Sequence, residues 1–133
     1  MLDVGALVND RISERRYSRP VLSAVDYLRC HYASPVMLSD LARLTGRNAF
    51  QLIRAFRKEL GITPHALLVQ IRVHHATALL ALGEPIAGAA ADVGFVDQTH
   101  FGRHFKRIHQ VTPRRYMAAL RADGAAAAPS CPR

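Results

Sequence analysis

The sequence predicts an all-α chain in which two copies of a two-helix unit are joined by one long helix. Three observations carry that prediction. The first is an internal repeat. LTGRNAFQLIRAFRKELGITP runs from Leu44 to Pro64, and VGFVDQTHFGRHFKRIHQVTP runs from Val93 to Pro113. Ala42 and Gly46 recur as Ala90 and Gly94, 48 positions on; Arg54, Phe56, Thr63 and Pro64 recur as Arg103, Phe105, Thr112 and Pro113, 49 positions on. The offset changes by one because the second turn carries one extra residue. A repeat of this period marks two copies of one supersecondary unit, and two helices per copy make it helix-turn-helix. The second observation is apolar spacing: Phe101, Phe105 and Ile108 form one helical stripe, as do Leu52 and Phe56. The third is a long helical pattern from Pro64 to Leu82, bounded by Thr63-Pro64 before it and Gly83 and Pro85 after it.

The chain is 133 residues long, half of them apolar, enough for a modest core. Eighteen Lys and Arg against ten Asp and Glu give a net charge of +8 and a pI near 10.5. That balance favours a polyanionic partner, either nucleic acid or an anionic membrane face. No apolar run approaches the roughly 20 residues of a membrane span, and the N-terminus lacks a basic segment followed by an apolar core, so no signal peptide is expected. Cys30 falls in a helical pattern and Cys131 in a Pro/Ala tail, so no structural disulfide is expected and a reducing cytoplasm fits.

Residues 1–19 read as a flexible arm or linker remnant with arginines at 11, 15, 16 and 19. The first helix-turn-helix unit occupies 20–62. Pro20 suits a helix start, and Val21, Leu22, Val25, Leu28 and Tyr32 keep helical period; this helix braces the unit. Ser39 is expected to cap the next helix, with Leu41, Ala42 and Leu44 inward and Gly46 ending it. Asn48 is expected to cap the first recognition helix, with Leu52 and Phe56 buried and Arg47, Ala49, Phe50, Ile53, Arg54, Arg57 and Lys58 outward, core packing being an equal alternative for Phe50 and Ile53. Residues 63–83 form the connecting helix, capped by Thr63. At 1.5 Å per residue its 64–82 stretch spans roughly 28 Å, close to the ~34 Å between successive major-groove faces on one side of DNA. A monomer is therefore expected to reach two adjacent groove segments. Leu67, Leu68, Ile71, Ala78, Leu79 and Leu82 are its expected apolar side.

Residues 84–121 form the second unit. Gly94 is expected to turn in the left-handed conformation, Asp97 to cap the second recognition helix, and Thr112 the last helix. Between the buried phenylalanines, Gln98, Thr99, Gly102, Arg103, Lys106 and Arg107 point elsewhere. An apolar back and a front of Gln, Thr and Arg suit a helix laid in a DNA groove. Residues 122–133, rich in Ala with Gly and Pro, read as a disordered tail.

At GFVDQTHFGRHFKRIHQVTPRRY the chain resembles the DNA-binding domain of the AraC family of bacterial transcription regulators, whose second unit ends in a signature close to GFxDQSxFxRxFKRxxGxTPxxY. The resemblance extends over roughly Pro20 to Leu120. It implies two homeodomain-like helix-turn-helix subdomains, and a sequence-specific regulator that binds double-stranded promoter DNA with two recognition helices in adjacent major-groove segments. RNA polymerase is then an expected partner. Many relatives carry an N-terminal effector or dimerisation domain, which does not fit within this chain. The expected base readers are Ala49, Phe50, Ile53 and Arg54 in the first unit, and Gln98, Thr99, Gly102 and Arg103 in the second. Phosphate contacts are expected from Arg47, Arg57, Lys58, Lys106, Arg107 and Arg114. The chain departs from the family pattern at Gly88 and Ala89, where an acidic residue and a large aliphatic are usual, at Gln110 in place of Gly, and at Met117 in place of Arg. A mid-helix Gly costs up to about 1 kcal/mol relative to Ala, so the second unit is expected to be the less stable one.

Other chemistry finds little support. His100 and His104 share a helix face at a spacing that can hold a metal, but the Glu of a zinc-hydrolase HExxH is missing and the surrounding residues match the DNA-binding signature instead. His74 and His75 are adjacent and diverge on a helix. No Gly-rich phosphate loop or nucleophile motif is present. No cofactor, metal or enzymatic activity is expected.

Overall fold

The computed structural model describes residues 17–122. The arm before Tyr17, the tail from 123 onward and Cys131 lie outside the described residues. Seven α-helices follow in order: α1 (Arg19–His31), α2 (Leu38–Thr45), α3 (Ala49–Glu59), α4 (Pro64–Ala81), α5 (Ile86–Asp92), α6 (Gln98–His109) and α7 (Pro113–Ala122). Among the described residues there is no strand. The all-α fold read from the sequence is the fold observed.

The chain divides into two compact units between Ile71 and Arg72, inside α4. The connecting helix is therefore shared: its first half belongs to one core and its second half to the other. In the first unit, Val21, Ala24, Val25 and Leu28 of α1 meet Leu41 of α2, Leu52 and Phe56 of α3, Leu60, and Leu67, Leu68 and Ile71 of α4. In the second, Val73, Ala76 and Leu80 of α4 are buried, as are Ala89 and Ala90 of α5, Phe101 and Phe105 of α6, and Val93 and Phe95 between those two helices. Each unit encloses an apolar centre, the main favourable term in holding so short a segment together.

The sequence explains the helix ends. Asn48 and Gln51 form a reciprocal capping box: the Asn48 side chain accepts from the Gln51 N–H at 2.8 Å, and the Gln51 side chain accepts from the Asn48 N–H at 3.1 Å. Thr63 Oγ1 accepts from the Ala66 N–H at 3.1 Å, and Thr112 Oγ1 from the Arg115 N–H at 3.2 Å, each just ahead of a helix-starting proline. The start of α2 differs from expectation. The helix begins at Leu38 with Met37 in the cap position, so Ser39 is already inside it. The charged Asp40 takes the role instead: its carboxylate reaches back to accept from the Met37 N–H at 2.9 Å and also holds Arg43 at 3.0 Å. Two expected core residues also differ. Leu44, in the last turn of α2, is 50% exposed, and Leu82, one residue past the end of α4, is 51% exposed.

The turns after α3 and α6 each take a left-handed residue. Gly61 supplies it in the first unit, with φ +82°. The matching position 49 residues on is Gln110, with φ +70°. Here Gln110 donates its N–H to the Lys106 carbonyl at 2.7 Å and its side-chain amide to the Arg107 carbonyl at 3.3 Å. A side chain in this conformation costs about 1–2 kcal/mol, and that one side-chain bond offsets only part of it. Gln110→Gly is expected to stabilise the second unit by about 1 kcal/mol, read as a higher midpoint in thermal or urea unfolding. An unchanged or lower midpoint would mean that the side-chain bond outweighs the strain.

Candidate nucleic-acid interface

α3 and α6 are built alike. Each begins at a capped N-terminus, with Asp97 Oδ1 accepting from the His100 N–H at 2.7 Å where Asn48 serves α3. Each is held from behind by two residues of 0% exposure, Leu52 and Phe56 in one and Phe101 and Phe105 in the other. Residues about half a turn from those anchors must face solvent. On α3 these are Phe50, Arg54, Arg57 and Lys58; on α6 they are Thr99, Arg103, Lys106 and Arg107, and all eight are exposed. Gln98, Arg47 and Arg114 are exposed as well, Arg47 in the turn before α3 and Arg114 in the first turn of α7. Basic side chains in the last turns of both recognition helices also suit the negative end of each helix dipole.

The α3 face has internal order. Phe50 is 71% exposed, and the Arg54 guanidinium lies 5.5 Å from the centre of its ring. That contact restrains a long side chain on the outer face before anything binds. Ile53 departs from the expected outward set. It is half-buried and lines a partly open apolar pocket of the first unit, because it sits only about 60° around the helix from Phe56. Ala49 is also half-buried. At the position matching Ile53, α6 has Gly102, where an added Cβ would meet nothing within 4 Å. Glycine is therefore not required there by packing, and the helix surface is flat between Thr99 and Arg103.

The extra residue in the second turn has a structural use. Gly94 takes φ +100°, Phe95 turns inward to 6% exposure and Val96 outward to 85%. The Phe95 ring rests against Phe101 at 5.2 Å, His100 at 5.7 Å and His104 at 6.0 Å between centres. His100 and His104 meet edge to face at 4.7 Å, and His104 Nδ1 contacts Arg107. The two histidines thus form the aromatic flank of α6. Among the described residues no group of three or more His, Cys, Asp or Glu is arranged to hold a metal.

A second histidine group was not foreseen. His109 ends α6 and stacks near Phe105 (4.4 Å) and Tyr116 (6.0 Å). The Thr77 hydroxyl donates to the Val73 carbonyl at 2.7 Å, so its oxygen accepts from His109 Nε2–H at 3.1 Å. Burial, with a smaller effect from the charge of His74, holds the His109 pKa below the ordinary imidazole value. The same two causes lower His75, and burial lowers His74. A base whose pKa is lower in the folded state takes up protons more readily when unfolded. Its contribution is complete above the ordinary value near 6.5 and is lost as pH falls through the lowered folded value. The second unit is therefore expected to melt at progressively lower temperature as pH drops from about 7 to about 5. His109→Gln should flatten part of that dependence; an identical pH profile in the variant would exclude His109 as a contributor.

Comparison with known proteins places this arrangement. The model of a helix-turn-helix domain family matches residues 41–119. The HTH-type transcriptional regulator YbfI of Bacillus subtilis is 41% identical over 83 residues, covering 62% of this chain and 30% of its own length. The chain thus spans less than a third of that relative. Among solved structures, a probable AraC family transcriptional regulator from Rhodopseudomonas palustris is 25% identical with a TM-score of 0.72, over 77% of this chain and 97% of its own. The DNA-binding domain of AdpA, a global transcriptional factor solved in complex with a target DNA, is 27% identical with a TM-score of 0.73, over 80% and 96%. With the family model matching 79 of the 133 residues (41 to 119), the chain belongs to the AraC-type helix-turn-helix family, as the DNA-binding domain of a transcription regulator.

Proposed function

We propose that this chain, as a monomer, reads a two-part promoter site, with α3 and α6 each laid in one of two adjacent major-groove segments. The observation that carries the reading is the match between the two helices: at positions 49 apart both present an exposed arginine, Arg54 and Arg103, in the middle of a helix that is capped at its start and anchored behind. Arginine at such a place donates two bonds to guanine O6 and N7, and Gln98 suits adenine N6 and N7. Phe50 and Thr99 add methyl or ring contacts to thymine. Arg47, Arg57, Lys58, Lys106, Arg107 and Arg114 neutralise phosphates, which supplies most of the sequence-independent affinity. In this reading Ile53 supports α3 and reads no base, and Gly102 leaves room for the DNA backbone. RNA polymerase is the expected partner at the promoter.

Selection from a random duplex pool, followed by affinity against salt, tests the proposal. Two short motifs one helical turn apart, bound with a steep negative salt slope, are the expected outcome. Enrichment of a single motif would restrict base reading to one helix, and no enrichment would remove the proposal.

A further inference from the structure

Behind the first recognition helix lies a cavity of about 140 Å³ that the DNA-reading role does not use. Its walls are apolar: Leu28 of α1, Leu41 of α2, Ile53 of α3 and Leu68 of α4 all contribute. Leu28, Leu41 and Leu68 are themselves at most 4% exposed, so the cavity reaches the core of the unit. Met37, 62% exposed, and the exposed His65 mark its solvent side. Thr63 also lines it. Its oxygen already caps α4 by accepting from Ala66, a bond that does not use the hydroxyl proton.

We infer that this cavity is a binding site for a small uncharged ligand the size of one aromatic ring, carrying at most one hydrogen-bond acceptor, and that its occupancy tunes DNA binding through Ile53. The size argues for one ring, since aliphatic-lined cavities of roughly 150 Å³ take up benzene. The lining argues against charge at the inner end, where Leu28, Leu41, Ile53 and Leu68 would take water from an ion and offer it no polar partner. Linkage to DNA follows from chain position. Ile53 is the inner neighbour of Arg54 on α3, and filling the space behind it removes slack from the seat of the helix that carries Arg54 and Phe50. A ligand that orders what DNA must otherwise order binds cooperatively with it. This second part rests on the DNA-reading role proposed above; the first does not.

The test uses the full chain and fluorobenzene as the probe, followed by its ¹⁹F line and by methyl shifts of the protein. Saturable binding with a Kd on the order of 1 mM is expected for so small a ligand, with shifts at Leu41, Ile53 and Leu68. Val36→Phe places a ring into the same space from the loop before α2, since Val36 also lines it, and should abolish binding. Val36→Ala enlarges the cavity and should keep binding, which separates occlusion from a folding defect. Absence of saturable binding by the unaltered chain, or binding that persists in a folded Val36→Phe chain, would overturn the site. Affinity for a selected duplex should then tighten at least about threefold in saturating probe; unchanged or weaker affinity would overturn the coupling. A chain that binds the probe but selects no duplex would leave the cavity standing and remove the DNA-reading role.

Discussion

Replacing Phe105 with alanine is expected to unfold the second unit while the first remains folded. Phe105 has 0% exposure and its ring meets three aromatic side chains of α6 and α7, Phe101 at 5.5 Å, His109 at 4.4 Å and Tyr116 at 5.5 Å between ring centres. Removing a buried phenylalanine costs about 3–5 kcal/mol in lost transfer and cavity terms. A unit of about 60 residues has only about 3–9 kcal/mol in total at typical values per residue. The loss is therefore comparable to everything that holds the unit. Hydrogen exchange is the measurement: protection of the α5, α6 and α7 amides should collapse, while α1, α2 and α3 keep theirs, since they close around the separate centre formed by Leu28, Leu52 and Phe56. Uniform loss along the chain would show that α4, shared by both, makes them a single cooperative body. In the unaltered chain the same experiment tests the expectation that the second unit is the weaker one. Gln110 in a left-handed turn and Gly88 within α5 both point that way; equal or greater protection there would contradict it.

The second large effect is on DNA. Arg54→Ala and Arg103→Ala should each weaken binding to a selected duplex by about 1–3 kcal/mol and relax the preference at one base pair. The two side chains stand in different compact units. Their effects should add, so the double variant should lose about 2–6 kcal/mol, roughly thirtyfold to more than ten-thousandfold. Competition binding against single-base variants of the duplex distinguishes the roles. A loss that is equal on every duplex would assign the arginine to phosphate. Lys58→Ala is the contrast: it should weaken all duplexes alike and lower the salt slope by about one. Phe50→Ala should resemble a partial Arg54 variant, because the ring that restrains the guanidinium is removed.

What the amino-acid order alone determined was the repetition and its local consequences. The helix-capping residues Asn48, Thr63, Asp97 and Thr112, the buried pairs Leu52/Phe56 and Phe101/Phe105, and the arginines between them depend on neighbours within a turn or two, where periodicity and hydrogen-bond chemistry suffice. The start of α2 was not among them: Ser39 was the expected cap, and Asp40 fills that role by reaching back to the Met37 N–H. The tertiary structure decided what depends on a third body. Spacing left Ile53 open between the outer face and the core, and the presence of α2 and α4 made it a pocket wall. Leu44 and Leu82 kept the apolar period, yet both are about half exposed. His109, about one helical turn after Phe105, acquired Thr77 from 32 residues earlier in the chain. Sequence spacing gives the face of a helix; which neighbour meets that face, and where the neighbours end, is set only when the helices close around a common centre.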